Sequence, residues 1–135
     1  MTHTAALQDC LEGPYLRADD TTTGLVDDEL AGAEALYQQA KEAWENEDIA
    51  GTLKQSYSAM FRGARALAFA KGYRPEGYRC LETVLKAFWL GNEKLSVDDL
   101  AALSHQQGLN GLPAENLEQA GDFVQRVKSL LSAQS

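Results

Sequence analysis

Apolar residues in this chain recur at helical rather than strand spacing. Val26, Leu30, Ala33, Tyr37, Ala40 and Trp44 are separated by four and three positions in turn, which sets them along one stripe of a helix. The stripe predicts a helix from Val26 to about Asn46, with Asp27, Asp28 and Glu29 in its first turn, where exposed amides favour negative charge. Asn46 or Asp48 can cap the next helix, which the pattern runs from Ile49 to about Lys71. Here the polar positions shrink to a line, Lys54, Ser58, Arg62 and Arg65, while Leu53, Tyr57, Met60, Phe61, Ala64, Leu67 and Ala68 cover most of the rest. A helix apolar around so much of its girth must be enclosed. It is expected at the centre of a bundle, with Ala59, Gly63, Ala64, Ala66 and Ala70 letting neighbours approach.

Gly72 stops that helix, and Pro75 suits the start of another because its missing donor would be unpaired there. Tyr78, Leu81, Leu85 and Phe88 then repeat at helical spacing to about Leu90. Adjacent Phe88 and Trp89 cannot both face one core, so one is expected to project toward a partner. Ser96 and Asp99 form a capping arrangement for a short helix with Leu100 and Leu103 inward, closed by Gly108. The last helix is expected from Ala114 to about Leu131, with Leu117, Gly121, Val124, Leu131 and either Val127 or Lys128 in register. Near the N-terminus, a short helical stretch between Thr4 and Arg17 is interrupted at Gly13-Pro14. The fold expected is all-α, an up-and-down antiparallel bundle of four main helices plus a short one over residues 25–135, with residues 1–24 as an N-terminal arm.

Composition narrows the function classes. With 135 residues the chain suits one domain, and its net charge of -8 argues against a protein that coats nucleic acid indiscriminately. From Lys54 to Lys86, however, seven basic residues face only Glu76 and Glu82, a local surplus of five, so the remainder carries -13. Cys10 and Cys80 lie far apart with no ligand pattern around them, so no disulfide framework is expected and a reducing compartment fits better. No apolar run is long enough to span a bilayer, and the start lacks the basic and apolar regions of a signal peptide. A cytoplasmic location and no membrane partner are the expectation.

Candidate chemistry centres on arginine. Arg62 and Arg65 are three apart on the polar line, and two guanidinium groups so placed suit phosphate or carboxylate. The plainer reading, and the favoured one, is that they pair with acids of an adjacent helix or a dimer mate. Lys71, Tyr73, Arg74, Tyr78 and Arg79 surround the loop after the central helix, which can hold a nucleotide by arginine contacts and ring stacking or be simply a solvated connection. His3, His105, Cys10 and Cys80 do not cluster, so no metal site and no cofactor are expected. His105 is read as exposed, and the aromatic residues Trp44, Phe69, Phe88 and Trp89 as core or interface. No nucleophile elbow, P-loop or dinucleotide fingerprint is present.

The stretch YSAMFRGARALAFAKGYRPEGYR resembles the middle helix and loop of HEPN domains, through Tyr57, Ala59, Met60, Phe61, Ala64, Arg65, Ala66, Leu67, Gly72, Tyr73 and Pro75, and the tail LEQAGDFVQRVKSLL is similar to their final helix. The resemblance implies a compact bundle that pairs as a homodimer, working beside a small nucleotidyltransferase or within a toxin–antitoxin or defence pair. Many such domains are ribonucleases whose signature is an Arg followed after four to six residues by a His; no such pair occurs here. The expectation is therefore a non-catalytic interaction module with Arg62, Arg65, Lys71, Tyr73, Arg74, Tyr78 and Arg79 as contact residues. Two alternatives stay open: a metal-independent ribonuclease with an atypical site built on Arg65, Tyr73 and Tyr78, and a stand-alone nucleotide- or RNA-binding domain using the loop from Lys71 to Arg79.

Overall fold

The computed structural model describes residues 2–91, 94–103 and 112–133. Among them are six α-helices: α1 (Thr2–Glu12), α2 (Val26–Glu45), α3 (Ile49–Ala70), α4 (Tyr78–Phe88), α5 (Val97–Leu103) and α6 (Pro113–Ala133). A 3-10 helix (Asp20–Leu25) and two three-residue strands, β1 (Leu16–Ala18) and β2 (Tyr73–Pro75), complete the order. The chain is an all-α helical bundle with one small antiparallel sheet.

Local chemistry fixes most of the boundaries. Asp48 caps α3 by accepting from the Gly51 amide at 2.9 Å. At α5 the expected box forms in both directions, with the Ser96 amide donating to Asp99 Oδ2 at 2.8 Å and the Asp99 amide to Ser96 Oγ at 3.2 Å. The C-terminus of α3 is closed from three sides. Its Lys71 amide donates to Ala68 O and the Gly72 amide to Phe69 O, the Trp89 indole donates to the Leu67 carbonyl at 3.0 Å, and the Thr22 hydroxyl lies 3.0 Å from the Phe69 carbonyl. Carbonyls that the helix itself leaves without partners are thus supplied with donors from α4 and the 3-10 helix.

As expected, α3 is the enclosed helix: it touches α2, α4, α5, α6, β2 and the 3-10 helix. Ala59, Ala64, Ala66, Leu67 and Ala68 are fully buried on it, and Phe69 nearly so. The pairing of Glu29 with Arg62 and Arg65 shows α2 and α3 running antiparallel. α6 in turn runs antiparallel to α2, since Gly121 lies against the Tyr37 hydroxyl and Lys128 pairs with Glu34. Its buried face is Ala120, Phe123, Val124, Val127 and Leu130; Val124 and Val127 are as expected, while Leu117, Gly121 and Leu131 of the expected stripe are only partly buried. Both stripes have helical spacing, so periodicity alone did not choose between faces only a residue apart. Trp44, expected in a core or interface, is 45% exposed.

The N-terminal arm is part of the fold. β1 pairs antiparallel with β2 in the register Leu16↔Pro75, Arg17↔Arg74 and Ala18↔Tyr73. Flanking bonds from the Asp19 amide to Gly72 O and from the Glu76 amide to Tyr15 O, both 2.8 Å, extend the ladder. The loop after α3 is neither a plain solvated connection nor the start of α4 at Pro75: Pro75 ends β2, restricting Arg74 to extended backbone and preparing an edge for β1. Leu16 inserts into the core at 1% exposure. Further along, α1 lies against α4, and Cys10 and Cys80 form a disulfide with Cα atoms 5.8 Å apart. This overturns the expectation of two unpaired thiols. Sequence distance misled there, because the β1–β2 pairing returns the arm to α4 although the cysteines are 70 residues apart.

Phe88 and Trp89 part as geometry requires. Trp89 is buried at 1%, while Phe88 is half-buried and stacks on Tyr73 with ring centres 5.7 Å apart. The outward ring of the pair thus meets the chain's own loop.

Candidate functional site

The seven residues singled out in the sequence fall into three places. The first is a chain of charges along the α2–α3 groove. Glu29, in the first turn of α2 and on the inward stripe with Ala33 and Ala40, is buried at 7%. Arg62 Nη2 donates to its Oε1 at 3.0 Å, and Arg65 Nη1 lies 3.4 Å from its Oε2. The Arg62 guanidinium crosses α2 directly over Gly32, where a Cβ would collide with it. Arg65 and Arg74 each stand beside the Phe69 ring, at 5.2 and 5.6 Å from its centre. Arg74 closes the line by pairing with Asp19 at 3.2 Å.

This arrangement decides what the arginines do in the folded chain. Two guanidinium groups three residues apart do grip a carboxylate, but it is the chain's own Glu29, held at a buried position by the helix that carries it. An external phosphate or carboxylate at Arg62 and Arg65 has to compete with that fixed group. Glu29 and Asp19 escaped the sequence reading, although one signal existed. Glu29 occupies the inward stripe of α2, and a carboxylate there calls for cations from the facing helix.

Asp19 adds a pH-dependent element. The Thr21 hydroxyl, then the Thr21 amide, then Arg74 hold its carboxyl below the ordinary value. A carboxylate depressed by folding stabilises the native state above its unfolded pKa, and the contribution is lost as pH falls through the folded value. Asp19→Asn is expected to melt lower than wild type at neutral pH and at the same temperature as wild type in strong acid. Thermal melts across the acid range check this, and a gap that persists unchanged in acid would refute it.

The second place is aromatic. Lys71 Nζ lies 5.0 Å from the Trp89 ring centre and 6.0 Å from that of Phe88, while Tyr73 stacks on Phe88. These side chains, expected to be available to a ligand, brace the α3–α4 connection. The third place is the start of α4. The Tyr78 hydroxyl sits 2.7 Å from Glu82 Oε2 and 2.9 Å from the Leu100 carbonyl. Burial first, and the Glu82 carboxylate second, push this phenol far above its ordinary value. Tyr57 is likewise raised by burial, and its hydroxyl donates to the Leu103 carbonyl at 2.7 Å. Phenols so shifted do not serve as bases near neutrality. Arg79 lies away from the Glu29 line and, with Cys10 and Cys80, lines an open cleft of about 280 Å³.

Thus the structure brings Arg62, Arg65 and Arg74 into one line, puts Lys71 and Tyr73 against α4, and leaves Tyr78 and Arg79 elsewhere. His105 lies outside the described residues. Among the described residues no group of three or more His, Cys, Asp or Glu is placed to hold a metal, and no helix is long and apolar enough to cross a membrane. No family model, curated protein or solved structure matches the chain.

Proposed function

We propose that the chain is a non-catalytic, HEPN-like helical interaction module that pairs with a second copy of itself. An apolar row on the central helix, partly exposed among the described residues, carries this reading. Ile49, Leu53, Tyr57 and Phe61 recur every four residues along α3, with Ile49 60% exposed and the other three half-buried. Tyr57 and Phe61, with Leu36, Ser58 and Arg62, line an open cleft of about 500 Å³, and exposed Trp44 lies toward the α2–α3 turn. A helix otherwise enclosed on its flanks gains by burying such a row, at about 25 cal/mol per Å² removed from water. Pairing about a two-fold axis sets the same row of each copy against the other. Arg62, its charge held by Glu29, belongs to the polar rim of that contact.

The setting follows from the resemblance. A small nucleotidyltransferase, or the other member of a toxin–antitoxin or defence pair, is the proposed partner of the dimer, and the cytoplasm the proposed compartment. The cysteine argument for a reducing environment no longer contributes, because the thiols are paired. Nucleotide or RNA binding is the weaker reading, since Arg62, Arg65 and Arg74 already hold carboxylates.

Sedimentation equilibrium tests the pairing. Wild type is expected at twice the monomer mass at micromolar concentration. Ser58→Glu, which sets a like charge in the cleft of each copy, is expected at the monomer mass with an unchanged helical spectrum. A wild type that stays monomeric across that range, or a Ser58→Glu variant as dimeric as wild type, sinks the proposal.

A further inference from the structure

The arm is fastened unevenly. Tyr15 to Asp19 is tied by the strand ladder, the buried Leu16 and the Arg74–Asp19 pair. α1, beyond Gly13-Pro14, packs on the core through half-buried Leu7, Cys10 and Leu11. Within α1 the Gln8 side chain donates to Glu12. Its covalent tie to α4 is the Cys10–Cys80 bond. That bond is reachable: the 280 Å³ cleft opens on both cysteines, with Cys10 half-buried and Cys80 4% exposed.

We infer that Cys10–Cys80 is a reducible clasp, opened by thiol–disulfide exchange with a small carboxylate-bearing thiol that enters this cleft past Arg79, and that opening it frees α1 while the bundle stays folded. The reagent thiolate attacks the Sγ of Cys10, the more exposed residue of the two. The S–S bond breaks, Cys80 leaves with the electron pair as a thiolate, and Cys10 is held in a mixed disulfide with the reagent. A second thiolate then attacks the reagent's sulfur, releasing the oxidised reagent and the Cys10 thiolate. Each protein thiolate takes up one of the protons that the two reagent thiols gave up. Two thiols are oxidised to one disulfide, and the protein gains two thiols.

The surroundings favour that direction of cleavage. Cys80 is in the first turn of α4, whose N-cap residue Gly77 offers no side-chain cap, so first-turn amides favour a thiolate as leaving group. Arg79 attracts a carboxylate-bearing reagent. Asp9, which also lines the cleft, opposes it, and Glu82 less so because Lys86 lies 3.6 Å away.

The test uses the full chain under native conditions, with reduced glutathione as the anionic thiol and 2-mercaptoethanol as the neutral one at matched thiolate concentration. Alkylation and intact mass follow the cysteines, and amide exchange follows the helices. The inference requires reduction faster than global unfolding, a transient glutathione adduct on Cys10, and exchange in α1 rising more than about tenfold while α2, α3 and α6 keep their protection. Arg79→Ala should slow glutathione several-fold and leave 2-mercaptoethanol unchanged. Cys10→Ser, which opens the clasp without reagent, should reproduce the exchange of the reduced protein. Reduction only at the rate of global unfolding, α1 protection unchanged on reduction, loss of protection throughout the bundle, or equal slowing of both thiols by Arg79→Ala would overturn it.

Discussion

Trp89→Ala is expected to cost about 3–5 kcal/mol, the range for emptying a large, fully buried aromatic site. With an unfolding entropy of about 2.1 cal/mol/K per residue, that lowers the melting temperature by roughly 10–18 °C. Two effects of different origin add. The ring is 1% exposed within the main core cluster, so its removal leaves a void there that rigid helices fill only partly. The indole N–H also ends α3 by donating to Leu67 O, and its loss strands a buried carbonyl at a helix terminus. Trp89→Phe separates the two: it keeps most of the volume and removes the donor, so it should cost about 1–2 kcal/mol. Thermal melts of both variants decide the matter. Fluorescence gives an independent reading, because the tryptophan left in Trp89→Ala is the half-exposed Trp44, and emission should shift to the red before any unfolding. A loss below about 1 kcal/mol for Trp89→Ala would mean that this ring is not the closure of α3.

Trp89 also marks where sequence reasoning ends. Its neighbour pair was legible as a conflict, since residues next to each other on a helix cannot share one face, but which ring turns inward depends on where α3 stops. Features fixed within a few residues could be read in advance: most of the stripe on α2, a cap for α3 at Asn46 or Asp48, the Ser96–Asp99 box and the inward Leu100 and Leu103. Features fixed by residues distant in the chain could not. The β1–β2 pairing joins segments that each look like loop, and nothing local in LRA or YRP announces a partner. The arginine line was visible as a charged seam on α3, and pairing with an adjacent helix was the favoured reading. Its counter-ions were not named. Glu29 looked like an ordinary first-turn acid suited to the helix dipole, and its burial follows only from how α2 rotates against α3. Arg79 was grouped with Arg74 by proximity in sequence. The turn at Glu76-Gly77 sends the two to different surfaces, Arg74 toward Asp19 and Arg79 toward the disulfide cleft.

Opening the Cys10–Cys80 bond is expected to lower global stability by about 4 kcal/mol, the chain-entropy value for a loop of this length. The loop spans 70 residues and encloses α2, α3 and β2, so in the unfolded chain it ties the arm to the start of α4 and excludes most extended conformations. The contacts made by α1 point to a much smaller share, because its apolar side chains on the core are only partly buried. The two contributions can be told apart. Leu7→Ala, with the disulfide intact, should cost no more than about 1 kcal/mol, while reduction, or Cys10→Ser, should lower the melting temperature by roughly 10–15 °C. Reduction should also steepen the urea dependence, since a chain without the cross-link exposes more surface when unfolded. If Leu7→Ala destabilises as much as reduction does, α1 is held by packing and the covalent tie adds little. If reduction moves the midpoint by the larger amount while the helical spectrum below the transition stays within the contribution of α1, the bond acts on the unfolded chain, and the bundle of α2, α3, α4 and α6 stands without it.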